Sequence, residues 1–373
     1  MNECEASLIA DVRAQFPDAP PSRLGIAVSG GSDSMALLHL CHRTLGAEGV
    51  EIFAATVDHG LRPDAVEEAT LVARNAANLG VSHNILKWDG WDGCGNLQDK
   101  ARQARYDLLT GWAQQNEISV LALGHTADDQ AETFLMRLAR NAGLVGLSGM
   151  SPRRMQDGIV LMRPLLQVTR SRLRSFLVQN QLPWADDPSN RDPRFERVRA
   201  RQALEQMQPL GITSTVLAEV AQNLSQARDA LDWFVFLAAR ENIRIEDGNV
   251  LIRQRGFRTL PEEVARRLLV QAVTWISGAK YAPRRSAIRA AMQAVRHEKP
   301  VVLAGCHILH KDGYAIVCRE FNAVKDLMVP LGQVWDGRWK LMGPVLEGGQ
   351  IRAMGDDGLM QCPDWRASGK PHG

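Results

Sequence analysis

The residues with the plainest chemistry form one short stretch, Ser29-Gly30-Gly31-Ser32-Asp33-Ser34. Adjacent glycines let consecutive backbone N–H groups turn toward one point, and a helix starting there adds unpaired N–H groups and positive dipole. Such a turn is an anion cradle, and the hydroxyls of Ser29, Ser32 and Ser34 add donors. Asp33 is then a carboxylate beside bound phosphate, which calls for a cation between them, and Mg²⁺ suits these hard oxygens. A second group is His125-Thr126-Ala127-Asp128-Asp129-Gln130-Ala131-Glu132. On a helix beginning near Thr126, the side chains of His125, Asp129 and Glu132 share one side, because spacings of three and four are neighbours. A Thr126 cap accounts for one or two acids, but not for Asp128, Asp129 and Glu132 together with a histidine. The chain lacks G-x-x-x-x-G-K-[ST] and G-x-G-x-x-G, which excludes the kinase type of phosphate loop and a dinucleotide fold.

The elements that must position these groups are legible in the hydrophobic period. Apolar runs of strand length occur at 24–28, 50–57, 82–88 and 118–123, separated by helical spacing at 34–45, 64–79, 97–116 and 127–140. Continuous apolar strands alternating with helices predict an α/β fold, a doubly wound parallel sheet, with ligands beyond the carboxyl ends of its strands. Both groups above follow a strand directly. The proline-rich stretch 183–194 reads as a loop. Beyond it, helical spacing recurs at 194–207, 213–240, 260–276 and 284–297, and residues 301–321 alternate around Lys311-Asp312-Gly313 as a β hairpin. Strand-like pieces near 334–342 belong to an otherwise irregular tail. This organisation predicts one domain over 1–208 that carries both groups, then a mainly helical linker and C-terminal region over 209–373. In that region Lys280, Arg284, Arg285, Arg289, Arg296 and Lys299 against Glu298 give a net +5 over 279–299, which suits contact with a polyanion such as tRNA.

The composition is that of a globular chain: 373 residues, 45% apolar and 23% charged. No apolar run is long enough to span a membrane, and the acidic N-terminus is not a secretory signal, so a cytoplasmic protein is expected. The six cysteines form no C-x-x-C pair, which argues against a disulfide framework or zinc site. Charge is concentrated: residues 151–201 hold eleven arginines against five acids, a net +6, in a chain of +2. Arginine suits bidentate phosphate contacts, so a polyanionic partner is expected there, with Arg194, Arg199 and Arg201 as candidate RNA contacts.

The S-G-G-x-D-S loop after the first strand resembles the pyrophosphate loop of the N-type ATP pyrophosphatases, which cleave ATP between its α and β phosphates. Further motifs resemble the tRNA(Ile)-lysidine synthetases within that superfamily. They are Val57-Asp58-His59-Gly60-Leu61-Arg62, Gly124-His125-Thr126-Ala127-Asp128-Asp129-Gln130-Ala131-Glu132-Thr133, Asn96 with Ala101-Arg102-Gln103-Ala104-Arg105-Tyr106, Arg163-Pro164-Leu165-Leu166, and Trp184 with Asp187-Pro188-Ser189-Asn190. They span about 24–201 in the family's order. One departure is Val198, in Arg197-Val198-Arg199, where the family usually has Asn.

The resemblance implies a ligase. ATP would bind at Ser29–Ser34 with His59 and Arg62 lining the adenine or substrate pocket, and Asp33 and Asp129 would hold Mg²⁺. Arg105 and Arg197 would stabilise the phosphates and an adenylated base, while Glu132 and His125 would meet substrate L-lysine. The implied partner is the isoleucine tRNA with anticodon CAU, whose cytidine 34 becomes lysidine. Competing interpretations are a tRNA thiolase, which would want a paired Cys motif, and a noncatalytic RNA-binding protein, against which the intact Asp33 and Asp129 speak.

Overall fold

A computed structural model of the chain describes residues 3–60, 65–88, 90–91, 95–186, 192, 194–279, 281–343 and 348–355. It forms two compact units, Met1–Arg228 and Asp229–Gly373.

In the first unit, strands β1 (Arg23–Ala27), β2 (Glu51–Asp58), β3 (Ser82–Lys87), β4 (Val120–Leu123), β5 (Arg153–Gln156) and β6 (Ile159–Met162) make one sheet of order β3-β2-β1-β4-β6-β5. All pairings are parallel except β5 with β6. The helices are α1 (Glu3–Arg13), α2 (Ser32–Thr44), α3 (Ala65–Asn78), α4 (Leu97–Gln115), α5 (Ala127–Ala139), α6 (Leu144–Leu147), α7 (Arg170–Gln179), α8 (Glu196–Met207) and α9 (Ser214–Asn242), the last crossing the unit boundary. Side chains alternate along β1 as the pleat requires. Leu24, Ile26 and then Val28 enter a core shared with α1, α2 and α7, whereas Ala27 joins the core under α4 with Leu109 and Trp112. Gly25 lies on that second face because a Cβ there would sit 3.0 Å from the Trp112 ring.

The chain runs outward from β1 through β2 to β3, then crosses back by α4 to β4 on the other side of β1. The strand order therefore reverses between β1 and β4, where α/β sheets open a crevice at their carboxyl ends. The β5–β6 hairpin was not foreseen, because Arg153-Arg154-Met155-Gln156 is too polar to read as a strand; Asp157 and Gly158, with φ of 49° and 81°, supply its turn.

The second unit is an antiparallel sheet of order β7-β8-β11-β10-β9, covered by helices. Its strands are β7 (Ile243–Glu246), β8 (Asn249–Arg253), β9 (Val301–Leu303), β10 (Cys306–Lys311) and β11 (Tyr314–Arg319). Helices α10 (Gln254–Thr259), α11 (Glu262–Ser277) and α12 (Arg285–Arg296) bury Phe257, Leu268, Val273 and Met292 against it. The expected hairpin is present, turning at Asp312 and Gly313 with φ of 50° and 78°. A short helix, α13 (Phe321–Val324), follows. The expected strands near 334–342 are displaced: β12 (Met328–Pro330) pairs with β13 (Gln350–Arg352), and between them Trp335 bridges Trp339 around a turn at Asp336 and Gly337. Among the described residues no helix is long and apolar enough to cross a membrane.

Candidate active site

The crevice between β1 and β4 contains a cavity of about 650 Å³ lined by Ser29, Asp33, Arg105, His125, Asp129 and Arg170, among others. Gly30 adopts φ +86°, which turns the chain between β1 and α2, and Gly31 stands as the N-cap. No side chain caps α2, so its first N–H groups remain available to a ligand. The Ser34 hydroxyl donates to the Gly31 carbonyl (3.1 Å) and accepts from the Ser29 amide (3.1 Å), which fixes the turn. Gly124, directly after β4, passes so close that a Cβ would lie 3.0 Å from Ser34 Cα. From the far side the Ala185 amide donates to the Gly30 carbonyl at 2.9 Å.

On the β4 side, Thr126 and Asp129 form a capping box at the start of α5. Asp129 Oδ2 accepts from the Thr126 amide (2.9 Å), leaving Oδ1 for Arg170 (3.5 Å) and Arg197 (3.6 Å). The carboxylate is thus both cap and cleft ligand. Asp128 serves a different purpose: its oxygens accept from the Arg170 amide (2.7 Å) and the Ser214 hydroxyl (3.1 Å), tying α7 and α9 to α5. Glu132, 2% exposed, accepts from Arg201 Nη2 at 2.7 Å and lies 3.7 Å from Arg170. Arg170 also donates to Asp33 Oδ2 at 2.9 Å, so one guanidinium joins Asp33, Asp129 and Glu132.

Burial raises the Asp33 carboxyl above its ordinary range, with Asp129 adding repulsion and the Arg170 pair opposing both. Burial and Asp129 likewise push Glu132 up against the pull of Arg201 and Arg170. Burial also works to raise Asp129, but Arg170, the Thr126 amide and Arg197 outweigh it, and the net direction is down. Burial, aided by Arg163, Arg105 and Arg197, holds His125 at about 3 despite Asp129, so the imidazole is neutral. Its Nδ1 is buried without a partner.

A second pocket of about 440 Å³ adjoins the first, sharing Ala27, Ser29 and Arg105, and is otherwise lined by Val57, His59, Leu97 and Phe195 among others. The His59 ring meets Trp88 edge-on at 5.8 Å. Burial and the nearby Arg105 lower its pKa.

Residues 5–208 match the PP-loop domain, an ATP-binding family. Over 365 residues the chain is 56% identical to the tRNA(Ile)-lysidine synthase of Ruegeria pomeroyi, covering 98% of this chain and 87% of that protein. The chain belongs to the tRNA(Ile)-lysidine synthase family. The synthase of the Wolbachia symbiont of Brugia malayi is 36% identical over 330 residues, covering 85% of this chain and 76% of the other. Among solved structures, the U34-tRNA thiolase of Methanococcus maripaludis superposes with a TM-score of 0.52 at 15% identity, over 60% of this chain and 80% of that one, which shows the shared fold.

In this lysidine synthase relative, Ser29, Gly31, Ser32, Asp33, Ser34, Arg105, His125, Asp129, Arg197 and Arg201 all line the larger cavity, and His59 lines the smaller one. Glu132 is not among the lining residues but meets two of the cavity's arginines, Arg170 and Arg201. Arg62 lies outside the described residues, as do Leu61 and the Asp187–Asn190 motif. Arg194 is exposed and paired with Asp192 at 2.6 Å, and Arg199 Nη1 donates to the Arg194 carbonyl. Val198 is 7% exposed and packs in the interior, so an apolar residue suits that position. A residue not foreseen in the site is Arg170. Its signal was electrostatic: Arg170, Arg172 and Arg174 crowd the start of α7, where the helix dipole disfavours cations and no acid compensates within the helix. Such arginines need carboxylates from elsewhere.

Asp33 and Asp129 are hard oxygen donors beside a phosphate cradle, a set that fits Mg²⁺ sharing its ligands with phosphate and water. Among the described residues no group of three or more acids, histidines or cysteines is placed to hold a metal by itself.

Proposed function

We propose that the chain ligates lysine to C2 of cytidine 34 in the CAU-anticodon isoleucine tRNA, converting ATP to AMP and pyrophosphate through an adenylated cytidine. It is an ATP-using ligase of the PP-loop class. The carrying observation is the convergence on one cleft of the Ser29–Ser34 cradle, the carboxylates Asp33, Asp129 and Glu132, and the arginines Arg105, Arg170 and Arg197. The tRNA and ATP substrates fit a cytoplasmic location.

The phosphates of ATP rest on the cradle and its adenine extends toward the pocket of His59. The cytidine O2 attacks the α-phosphorus, the bond to the bridging oxygen breaks, and pyrophosphate departs. Arg105 and Arg197 offset the charge that develops, in a site already shaped to receive it. Asp33 and Asp129 would hold Mg²⁺, which supplies neutralisation of charge on the phosphates. Glu132 then binds the cationic end of lysine, exchanging Arg201 and Arg170 for the substrate, with the neutral His125 beside it. The free amine attacks C2, the C2–O bond breaks, AMP leaves with the oxygen, and the amine gives up a proton.

Mass spectrometry of the tRNA after incubation with ATP, Mg²⁺ and each amino acid in turn tests this scheme. The expected result is a gain of one lysine less one water, with lysine alone. A gain supported by another amine or by sulfide would overturn the assignment.

A further inference from the structure

Two groups of arginines in the first unit differ in how their charge is met. Arg170, Arg172, Arg174, Arg194, Arg197 and Arg201 each lie 3.6 Å or less from a carboxylate. Arg102, Arg105, Arg154 and Arg163 make no ion pair among the described residues, yet they gather around one side chain. The guanidinium carbons of Arg102 and Arg154 both lie 5.3 Å from the centre of the Tyr106 ring. Arg102 Nη2 is 3.4 Å from the Tyr106 hydroxyl. Arg163, 5% exposed, donates Nη1 to the Ser151 carbonyl at 2.7 Å, and its Nε is buried without a partner. Arg102, Arg154 and Arg163 come from α4, β5 and the residue after β6, so the cluster is made by the tertiary fold rather than by one charged helix. Burial disfavours the charged form of Arg163, Tyr106 opposes that shift, and the neighbouring guanidiniums Arg154 and Arg102 add to it.

Like charges brought together without counterions oppose folding, and cation–π contacts with one ring offset only part of that repulsion. An anionic ligand relieves the repulsion. Arg102 and Arg105 are three apart on α4 and so share a face, and Arg105 lines the cleft. The unneutralised arginines therefore begin at the reacting centre and lead away from it. A single small anion would need only one or two of them; a polymer with regularly spaced phosphates matches the spread.

We propose that the exposed Arg102 and Arg154, grouped around Tyr106 with the buried Arg163 adding positive charge, form a phosphodiester-binding patch that receives the RNA strand adjoining the base held in the cleft. This rests on the RNA substrate proposed above. It shifts the main backbone contact away from Arg194 and Arg201, whose charges Asp192 and Glu132 already meet.

The test is binding of the CAU-anticodon isoleucine tRNA to the full chain, without ATP, from about 50 to 200 mM salt. Each neutralised phosphate contributes about −0.7 to −0.9 to the slope of log affinity against log salt. Arg102→Gln with Arg154→Gln is expected to flatten the slope by one to two and to weaken binding at least about tenfold at low salt. ATP binding without tRNA stays unchanged. Arg154 is exposed on the edge strand, so Arg154→Glu leaves the fold intact and is expected to flatten the slope at least as much as its neutral variant. An unchanged slope in Arg154→Glu and in the double variant overturns the patch. Lysine incorporation with an unchanged slope would sink the patch alone, whereas a flattened slope without lysine incorporation would keep the patch and sink the reaction.

Discussion

Along α7 and α8, the arginines that line the cleft, Arg170, Arg174, Arg197 and Arg201, are each met by a carboxylate. Along α4 and the β5–β6 hairpin, Arg102, Arg105, Arg154 and Arg163 are met by none among the described residues. The first wall is neutralised before any ligand arrives, so its dipoles and charges are already placed where a reaction develops charge. A substrate binding there trades one partner for another, as lysine would for Arg201 on Glu132. The second wall holds uncompensated charge, which favours a polyanion and is sensitive to salt. Chemistry is thus assigned to the paired arginines together with Arg105, which lines the cleft, and capture to Arg102, Arg154 and Arg163, which lead away from it.

Substitution at the paired wall should have the largest effect. Asp33→Asn keeps the shape and removes the charge, and tRNA-dependent pyrophosphate release is expected to fall at least about a hundredfold, in line with other electrostatic groups of this kind. The melting temperature should change by only a few degrees. A variant within threefold of the parent would dissociate this wall from the chemistry.

Glu132→Gln leaves Arg201 and Arg170 facing a neutral amide in a buried setting. The cost should be about 1–3 kcal/mol in urea unfolding, accompanied by a raised KM for lysine. Unaltered stability would mean that the Glu132 pair is incidental to the wall.

A smaller and more local effect is expected at the crossing of the two loops. Gly124→Ala places a methyl 3.0 Å from Ser34 Cα and 3.1 Å from Ser34 N. Backbone must shift, at about 1–3 kcal/mol, and ATP affinity should drop about tenfold by equilibrium titration. If affinity holds, the cradle tolerates displacement that its packing does not suggest.

The mildest effect is on stability in acid. His39 is 4% exposed in α2, and burial, with Arg43 and His42 nearby, lowers its pKa to about 4 despite an Asn75 hydrogen bond. An unfolded histidine takes its proton near pH 6.5, so between that pH and about 4 the unfolded state binds more protons. Stability contributed by the neutral ring is present above 6.5 and is lost as the pH falls through this window, by on the order of 3 kcal/mol. His39→Phe should flatten the acid limb of a melting-temperature profile without touching the salt dependence of RNA binding. An unchanged limb would place the acid sensitivity elsewhere.

The paired wall was largely legible in the sequence. Apolar strands without alternation required a doubly covered parallel sheet, and Ser29–Ser34 and His125–Glu132 followed two of those strands directly. Arg170 was less visible, because its partners Asp33, Asp129 and Glu132 are 137, 41 and 38 residues away and only the fold joins them. The unpaired wall was hidden for two reasons. Arg102 stood in the same motif as Arg105, three residues away, and spacing alone did not give the two separate roles, while Arg154 sits in a strand whose polarity masked it. Summed charge over 151–201 pointed toward RNA, but a sum cannot tell Arg154, which has no carboxylate, from Arg201, which rests on Glu132. The C-terminal tail shows the same limit, since apolar residues near 334–342 close a Trp335–Trp339 turn instead of forming strands.

The most direct measurement of the central claim is pyrophosphate release from ATP and Mg²⁺ with the CAU-anticodon isoleucine tRNA present or withheld, lysine being omitted from both. If the paired wall adenylates a base that the unpaired wall has helped to deliver, pyrophosphate appears only with tRNA, and raising salt suppresses it in parallel with tRNA binding. Pyrophosphate released at the same rate without tRNA would contradict the account, because ATP cleavage would then need no base in the cleft.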